Sequence, residues 1–157
     1  MSELHHEIVI AAPVQAVWSV LADLEAVRLY NPAVAEVRRE GPEGIGAIRH
    51  CIVKPKGWMR ERVIGWEPLR LIELEMIDSS WPVVSMHWKT VLHAEGRNTR
   101  VTQDFSYRFK LGRLGALLDT LFMRRKMSEG MQQMFAALKR HVEGTGQRVG
   151  SQTLVTG

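Results

Sequence analysis

The chain reads as an α+β domain: a curved antiparallel sheet of seven strands wrapped around a long C-terminal helix, with two short helices between strands one and two. Two observations lead there. From Val34 to Phe109 the sequence is a series of short β-rich runs. They are cut by turn-forming clusters at Gly41–Gly46, Pro55–Gly57, Glu67-Pro68, Ser79–Pro82 and Glu95–Asn98, a spacing that marks successive antiparallel strands. Beyond them, from about Arg113 to Val142, residues such as Leu114, Leu118, Leu121, Met131, Phe135 and Leu138 form one broad apolar helical stripe. An antiparallel sheet with one apolar face must bury that face, and this helix is the partner at hand.

In chain order, Leu4–Ile10 forms the first strand, with Ile8-Val9-Ile10 as its β-branched core. Pro13 starts a helix, where its missing N–H costs nothing, and Val14, Val17, Trp18 and Leu21 share one face of it. Asp23-Leu24-Glu25 breaks that helix and caps a second. Val27 and Tyr30 lie on the inner side of the second helix, and Asn31-Pro32 ends it. Six strands follow, at Val34–Arg39, Ala47–Val53, Trp58–Trp66, Arg70–Asp78, Val83–Ala94 and Thr99–Phe109. Alternation is clearest in the last: Val101, Gln103, Phe105, Tyr107 and Phe109 face inward, and Thr102, Asp104, Ser106 and Arg108 outward. Residues 1–143 make a single domain, and the Gly/Ser/Thr/Gln-rich residues 144–157 are expected to form a flexible tail.

Composition narrows the function classes. The 157 residues are 45% hydrophobic and 24% charged, as in a globular protein. Basic residues number 21 against 17 acidic, and no aromatic–basic signature accompanies them, so a nucleic-acid partner is not expected. Cys51 is the single cysteine, and no Cys/His cluster points to a metal; neither metal nor cofactor is expected. The N-terminus lacks the basic start and apolar run of a signal peptide, and no apolar stretch is long enough to span a bilayer. A cytoplasmic protein without integral membrane association is the expectation.

A sheet curled around a helix can leave a wedge between them lined by inward side chains, and function would reside there. At this point the sequence resembles the START-like, Bet v 1-like (SRPBCC) superfamily with its helix-grip fold, in the polyketide cyclase/dehydrase branch. The marks are Ala11-Ala12-Pro13 with Val17-Trp18, Asp23-Leu24-Glu25, Tyr30-Asn31-Pro32 and Trp66-Glu67-Pro68. Met86-His87-Trp88, the run Gly96–Val101 and Gln103-Asp104-Phe105 complete them. The resemblance implies a deep cavity for lipids, polyketides or other apolar molecules. In aromatase/cyclases of that branch an arginine on a central strand is proposed to polarise a substrate carbonyl, and Arg62 matches it by position. Val27 and Val34 stand where those enzymes carry a Trp and a Tyr, and Tyr30 lies nearby.

The residues themselves suggest the same wedge. By alternation Arg62 shares a face with Trp58, Ile64 and Trp66, and it either anchors a polar group inside or points to solvent as strand arginines usually do. Gln103, on the clearest inner face, needs a partner, either a ligand or a neighbouring backbone group. Tyr107 and Tyr30 carry hydroxyls that can reach a ligand or the rim. Trp58, Trp66, Met86, Trp88, Phe105, Leu117, Leu121 and Met131 would supply apolar wall, with Met123, Met127 and Met134 as further thioethers. Glu73, Glu75 and His87 read as an outward polar face, although a bulge would let Glu75 meet Arg62 inside. His50 and Cys51 are adjacent on a strand and so cannot act as a pair.

The expected function is binding of a small hydrophobic molecule in that cavity. The alternative is a cyclase-like enzyme catalysing aldol condensation or dehydration, with Arg62 as its catalytic residue. A homodimer or an acyl-carrier-type partner is conceivable. Arg124-Arg125-Lys126 interrupts the helical stripe and either approaches an acidic partner or lipid surface or snorkels to water. A helix broken there would leave Leu114–Phe122 as a flap over the cavity mouth.

Overall fold

The computed structural model describes residues 2–110 and 112–153, with side chains placed for all of these except 115, 120 and 146–153. The elements run β1 (Ser2–Ile10), α1 (Val14–Ala22), a 3₁₀ turn (Leu24–Ala26), α2 (Val27–Tyr30), β2 (Val34–Glu40) and β3 (Ile48–Val53). There follow β4 (Trp58–Glu67), β5 (Leu71–Ser79), β6 (Val83–Glu95), β7 (Asn98–Phe109) and α3 (Gly112–Leu118). A π turn (Asp119–Met123) leads into α4 (Arg124–Thr153). The seven strands form one antiparallel sheet in the order β1-β7-β6-β5-β4-β3-β2. It is a meander from β2 to β7 with β1 laid beside β7, so α1 and α2 bridge its two edges.

This is the helix-grip architecture. The sequence leaves open whether the long C-terminal helix is continuous through Arg124-Arg125-Lys126; in the structure a π turn is inserted just ahead of Arg124. Beyond Gly144 the helix runs on to Thr153, and residues 154–157 of the expected tail lie outside the described residues.

The helix meets the sheet near its start, where Ser128 bonds His6 (3.1 Å) and Met131 is buried with Met59, Met86 and Phe105, and again in its later turns. Phe135, Leu138 and Val142 of α4 are buried in a cluster with Ile10, Val17 and Val101. Polar contacts secure the same end: the Lys139 ammonium donates to the Val9 carbonyl (2.8 Å) and to Glu143 (2.7 Å), and Glu143 accepts from the Ala11 amide (2.8 Å). The Lys139 hydrogen bond, with the Ala11 amide behind it, holds the Glu143 carboxyl below its ordinary pKa. At the same end the fully buried Thr99 hydroxyl donates to the Ala12 carbonyl (2.9 Å), tying β7 to the start of α1.

The face assignment of β4 is a correction. Met59, Glu61 and Val63 point inward and Arg62 outward, opposite to the parity that Trp58 and Trp66 suggest. The two tryptophans mislead for different reasons. Trp58 packs on the outer face against His50, with ring centroids 5.9 Å apart. The register of β4 on β5 shifts between Val63 and Gly65, so Trp66 returns to the inner side, opposite Ile72. A bulge of this kind breaks the two-residue period within a strand.

Replacing Thr99 with valine keeps the shape and removes the donor to Ala12. A loss of about 1–2 kcal/mol in urea-unfolding free energy is expected. A variant as stable as the parent would show that the bond does not help to dock α1.

Candidate functional site

Beside the contacts that Ser128 and Met131 make with the sheet, a cavity of about 860 Å³ lies between the sheet and α4. Its apolar wall is built by period. Inward positions of the central strands supply Met59, Leu74, Met86, Trp88 and Phe105, and α4 supplies Met127, Met131 and Met134. Trp88 stacks on Phe105 with centroids 5.2 Å apart. The mouth is rimmed by residues 31–33 after α2, the β3–β4 turn, Trp81-Pro82, and Leu118 and Phe122 beneath the C-terminal helices.

One stretch of this wall is charged. Arg49 and Glu61 are register partners on β3 and β4, both inward, with Arg49 Nε donating to Glu61 Oε2 at 2.6 Å. The pair is almost fully shielded from bulk water, with side-chain exposures of 12% and 3%. The Cys51 thiol, next inward on β3, lies 3.8 Å from the same carboxylate oxygen. Burial opposes the Arg49 cation, but the Glu61 carboxylate more than compensates and holds the guanidinium charged. Burial pushes the Cys51 thiol up to about 12 and the Tyr30 hydroxyl likewise to about 12, so both stay protonated at neutral pH. Among the described residues, the terminal guanidinium nitrogens of Arg49 and the Tyr30 hydroxyl have no protein hydrogen-bond partner. Both residues line the cavity.

A second polar point sits across the chamber. Gln103 Nε2 donates to the Thr90 hydroxyl at 2.9 Å, its register partner on β6. Its Oε1 is buried with no hydrogen-bond partner. Gln103 is 7% exposed and lines the cavity, but its Oε1 is closed off from the void.

The residues singled out from the sequence divide. Tyr30, Met86, Trp88, Gln103, Phe105 and Met131 are in the cavity wall, as are Met123, Met127 and Met134. The other candidates are not among the lining residues. Arg62 lies on the outer face, bonded to Glu75 at 2.6 Å, so the two do meet, but away from the chamber. Trp58 is on that face too, and Trp66 packs inside against Trp18 (5.1 Å) under α1. Tyr107 is buried, but its hydroxyl donates to Asp119 at 2.6 Å. Leu117 and Leu121 face outward, exposed. His87 is on the outer face and bonds Glu73 at 2.6 Å. Periodicity alone does not single out Arg49, Glu61 or Asp119. The first two carried a signal, since each is a lone charge alternating with apolar residues: Arg49 with Cys51 and Val53, Glu61 with Met59 and Val63.

Comparison with known proteins agrees with this architecture. The family described as polyketide cyclase / dehydrase and lipid transport matches residues 1–143. The chain belongs to that family. A crystal structure of a Thermus thermophilus protein is similar at a TM-score of 0.79 and 22% identity, covering 92% of this chain and 99% of that one. Norcoclaurine synthase from Thalictrum flavum, in complex with dopamine and hydroxybenzaldehyde, superposes at 0.69 with 17% identity over 91% of this chain and 87% of its own. Ara h 8.0201 gives 0.72 and 12% identity, covering 91% of this chain and 98% of that one. At these identities the likeness is one of fold. No curated protein matches the sequence.

Two outcomes follow for the charged wall. Glu61→Gln leaves the buried Arg49 cation without its counter-charge and should cost about 3 kcal/mol in urea unfolding; a change below about 1 kcal/mol would mean that cavity water already solvates the pair. Cys51 and Tyr30 keep their protons in the folded state to about 12, whereas their ordinary values are 9.0 and 10.0. Between those limits the unfolded chain binds fewer protons, so stability falls as pH rises from 9.0 towards 12. Thermal midpoints measured across that range should decline less steeply in a Cys51→Ala/Tyr30→Phe variant than in the parent, and parallel declines would contradict the assignment.

Proposed function

We propose that this chain binds a small, largely apolar molecule in the cavity between the sheet and α4, with the molecule's polar group held at Arg49 and Tyr30. The observation that carries the reading is the cavity of about 860 Å³ with the Arg49 guanidinium in its wall, bonded to Glu61 through Nε alone. Arg49 and Tyr30 offer donors, which suit a carbonyl, phenolate or carboxylate oxygen. The ligand class is therefore an apolar or aromatic body with an oxygen acceptor at one edge. Stacked Trp88 and Phe105 and the α4 methionines suit such a body, with apolar burial supplying about 25 cal/mol per Å². The Thalictrum flavum relative, found with dopamine and hydroxybenzaldehyde, supports small aromatic molecules as one class to try.

A second reading, a cyclase-like enzyme, is favoured by the pairing of donors at one spot. The Arg49 guanidinium and the Tyr30 hydroxyl would stabilise an enolate oxygen formed during aldol condensation or dehydration. Arg49, not the outward Arg62, is the arginine available for that role. Cys51 and Tyr30, both protonated at neutral pH, are unsuited to be its base, and binding without turnover remains the preferred reading.

Gly130 gives a clean test. It lies in the cavity wall on α4, and nothing stands within 4 Å of the position a Cβ would take. Gly130→Trp should fill part of the chamber while leaving thermal stability equal or higher, because glycine is the weaker helix former. Titration with anilinonaphthalene sulfonate, an aromatic anion, is expected to give one saturable site in the parent and at least ~10-fold weaker binding in the variant. Equal binding by both proteins, or none by the parent, would refute the cavity as the site.

A further inference from the structure

The stretch from α3 through the π turn carries an apolar face that nothing among the described residues covers. Leu114, Leu117, Leu118, Leu121 and Phe122 are all exposed, Leu114 by 76% and Phe122 by 67%. Their spacing puts them on one side of the helical turns. A contiguous exposed patch of large apolar side chains is unusual on a protein surface and marks an interaction site. The opposite side of the segment is anchored. Asp119 is buried, accepting from the Tyr107 hydroxyl at 2.6 Å and from the Ser2 hydroxyl. The segment is thus held to the sheet at its centre while its leucines point away.

Charge identifies the occupant. Arg113, Arg124, Arg125 and Lys126 flank the patch, exposed, and Lys54, Lys56 and Lys110 stand exposed in the neighbouring β3–β4 turn and at the end of β7. Between Lys110 and Lys126 the one carboxylate is Asp119, which is buried beneath the segment; just beyond, Glu129 bonds Arg125 at 2.9 Å. Leucine and phenylalanine ringed by cations match an interface in which acyl chains lie below anionic headgroups. No helix among the described residues is long and apolar enough to cross a membrane, so contact would be in the plane of the interface.

We propose that this face docks the protein on an anionic lipid bilayer, with Leu114, Leu117, Leu121 and Phe122 entering the acyl boundary and the flanking arginines and lysines on the headgroups. Leu118 and Phe122 belong both to the patch and to the rim of the cavity, so docking turns the cavity mouth towards the lipid. Docking itself does not require an occupied cavity.

The test is flotation of the full chain with vesicles of phosphatidylcholine alone, and with vesicles containing about one third phosphatidylglycerol. Association with the anionic vesicles is expected, weakening as added salt screens the headgroups. Leu117→Asp/Leu121→Asp and Arg124→Glu/Arg125→Glu should each reduce it at least ~10-fold. These side chains are exposed, so thermal midpoints should stay at the parental value and report any folding defect separately. Ile45→Asp, an exposed apolar residue in the β2–β3 loop at the far end of β3, should bind as the parent does. Gly130→Trp should also float, which separates failure of docking from failure of the cavity reading. Absence of anionic-vesicle binding, or binding that the leucine variants leave intact, would overturn the proposal. So would a dimer in solution that Leu117→Asp/Leu121→Asp converts to monomers without any vesicle association, since the patch would then cover a second copy.

Discussion

Everything in this molecule follows from a sheet that is larger than the helix laid across it. Seven strands present one apolar face, and α4 closes only part of it. Closure is concentrated where Phe135, Leu138 and Val142 meet Ile10, Val17 and Val101, and where Lys139 and Glu143 bond the backbone around Val9 and Ala11. Nearer its start α4 reaches the sheet through Met131 and the Ser128–His6 bond, and a cavity of about 860 Å³ remains beside those contacts.

A void lined only with hydrocarbon would take any apolar molecule of suitable size. Here two polar points interrupt the lining, and both arise from cross-strand register. Arg49 opposite Glu61 and Gln103 opposite Thr90 are directly paired residues on neighbouring strands, each inward and each partly satisfied by its neighbour. Partial satisfaction matters at Arg49: the pairing orients the guanidinium, and its unused nitrogens would serve the proposed ligand. Placing an ion pair in the wall carries a desolvation cost, which is expected of a site for recognition rather than of a core built for stability alone.

The mouth obeys a different logic. The π turn carries Asp119 to Tyr107 and Ser2, so the segment before α4 is pinned by a buried carboxylate rather than by its leucines. Its apolar side is consequently free to face outward beside the basic rim. Wall and rim are thus chemically separate, one selecting what enters and the other what lies outside.

Much of this was legible in the chain itself. Turn clusters divided the middle into six strands, period-two alternation identified the inner face of β7, and helical spacing identified the long C-terminal helix. Six of the proposed wall residues, from Tyr30 to Met131, stand in the cavity. The misassigned ones share a cause. On β4 both alternating sets contain apolar and charged members: Trp58, Arg60, Arg62 and Ile64 on one, Met59, Glu61 and Val63 on the other. Alternation says that the two sets part company, but it is silent on which faces in, and a slip of one residue exchanges them. Tyr107 was correctly read as inward, yet its hydroxyl was claimed by Asp119, a partner 12 residues away on a helical turn whose direction no local pattern encodes. The order and kind of elements were therefore set by the residues' own periodicities. The identity of the buried arginine, and the outward turn of the leucines, were decided only when neighbouring strands and the Asp119 anchor imposed their register, because a side chain's face depends on what lies beside it in space.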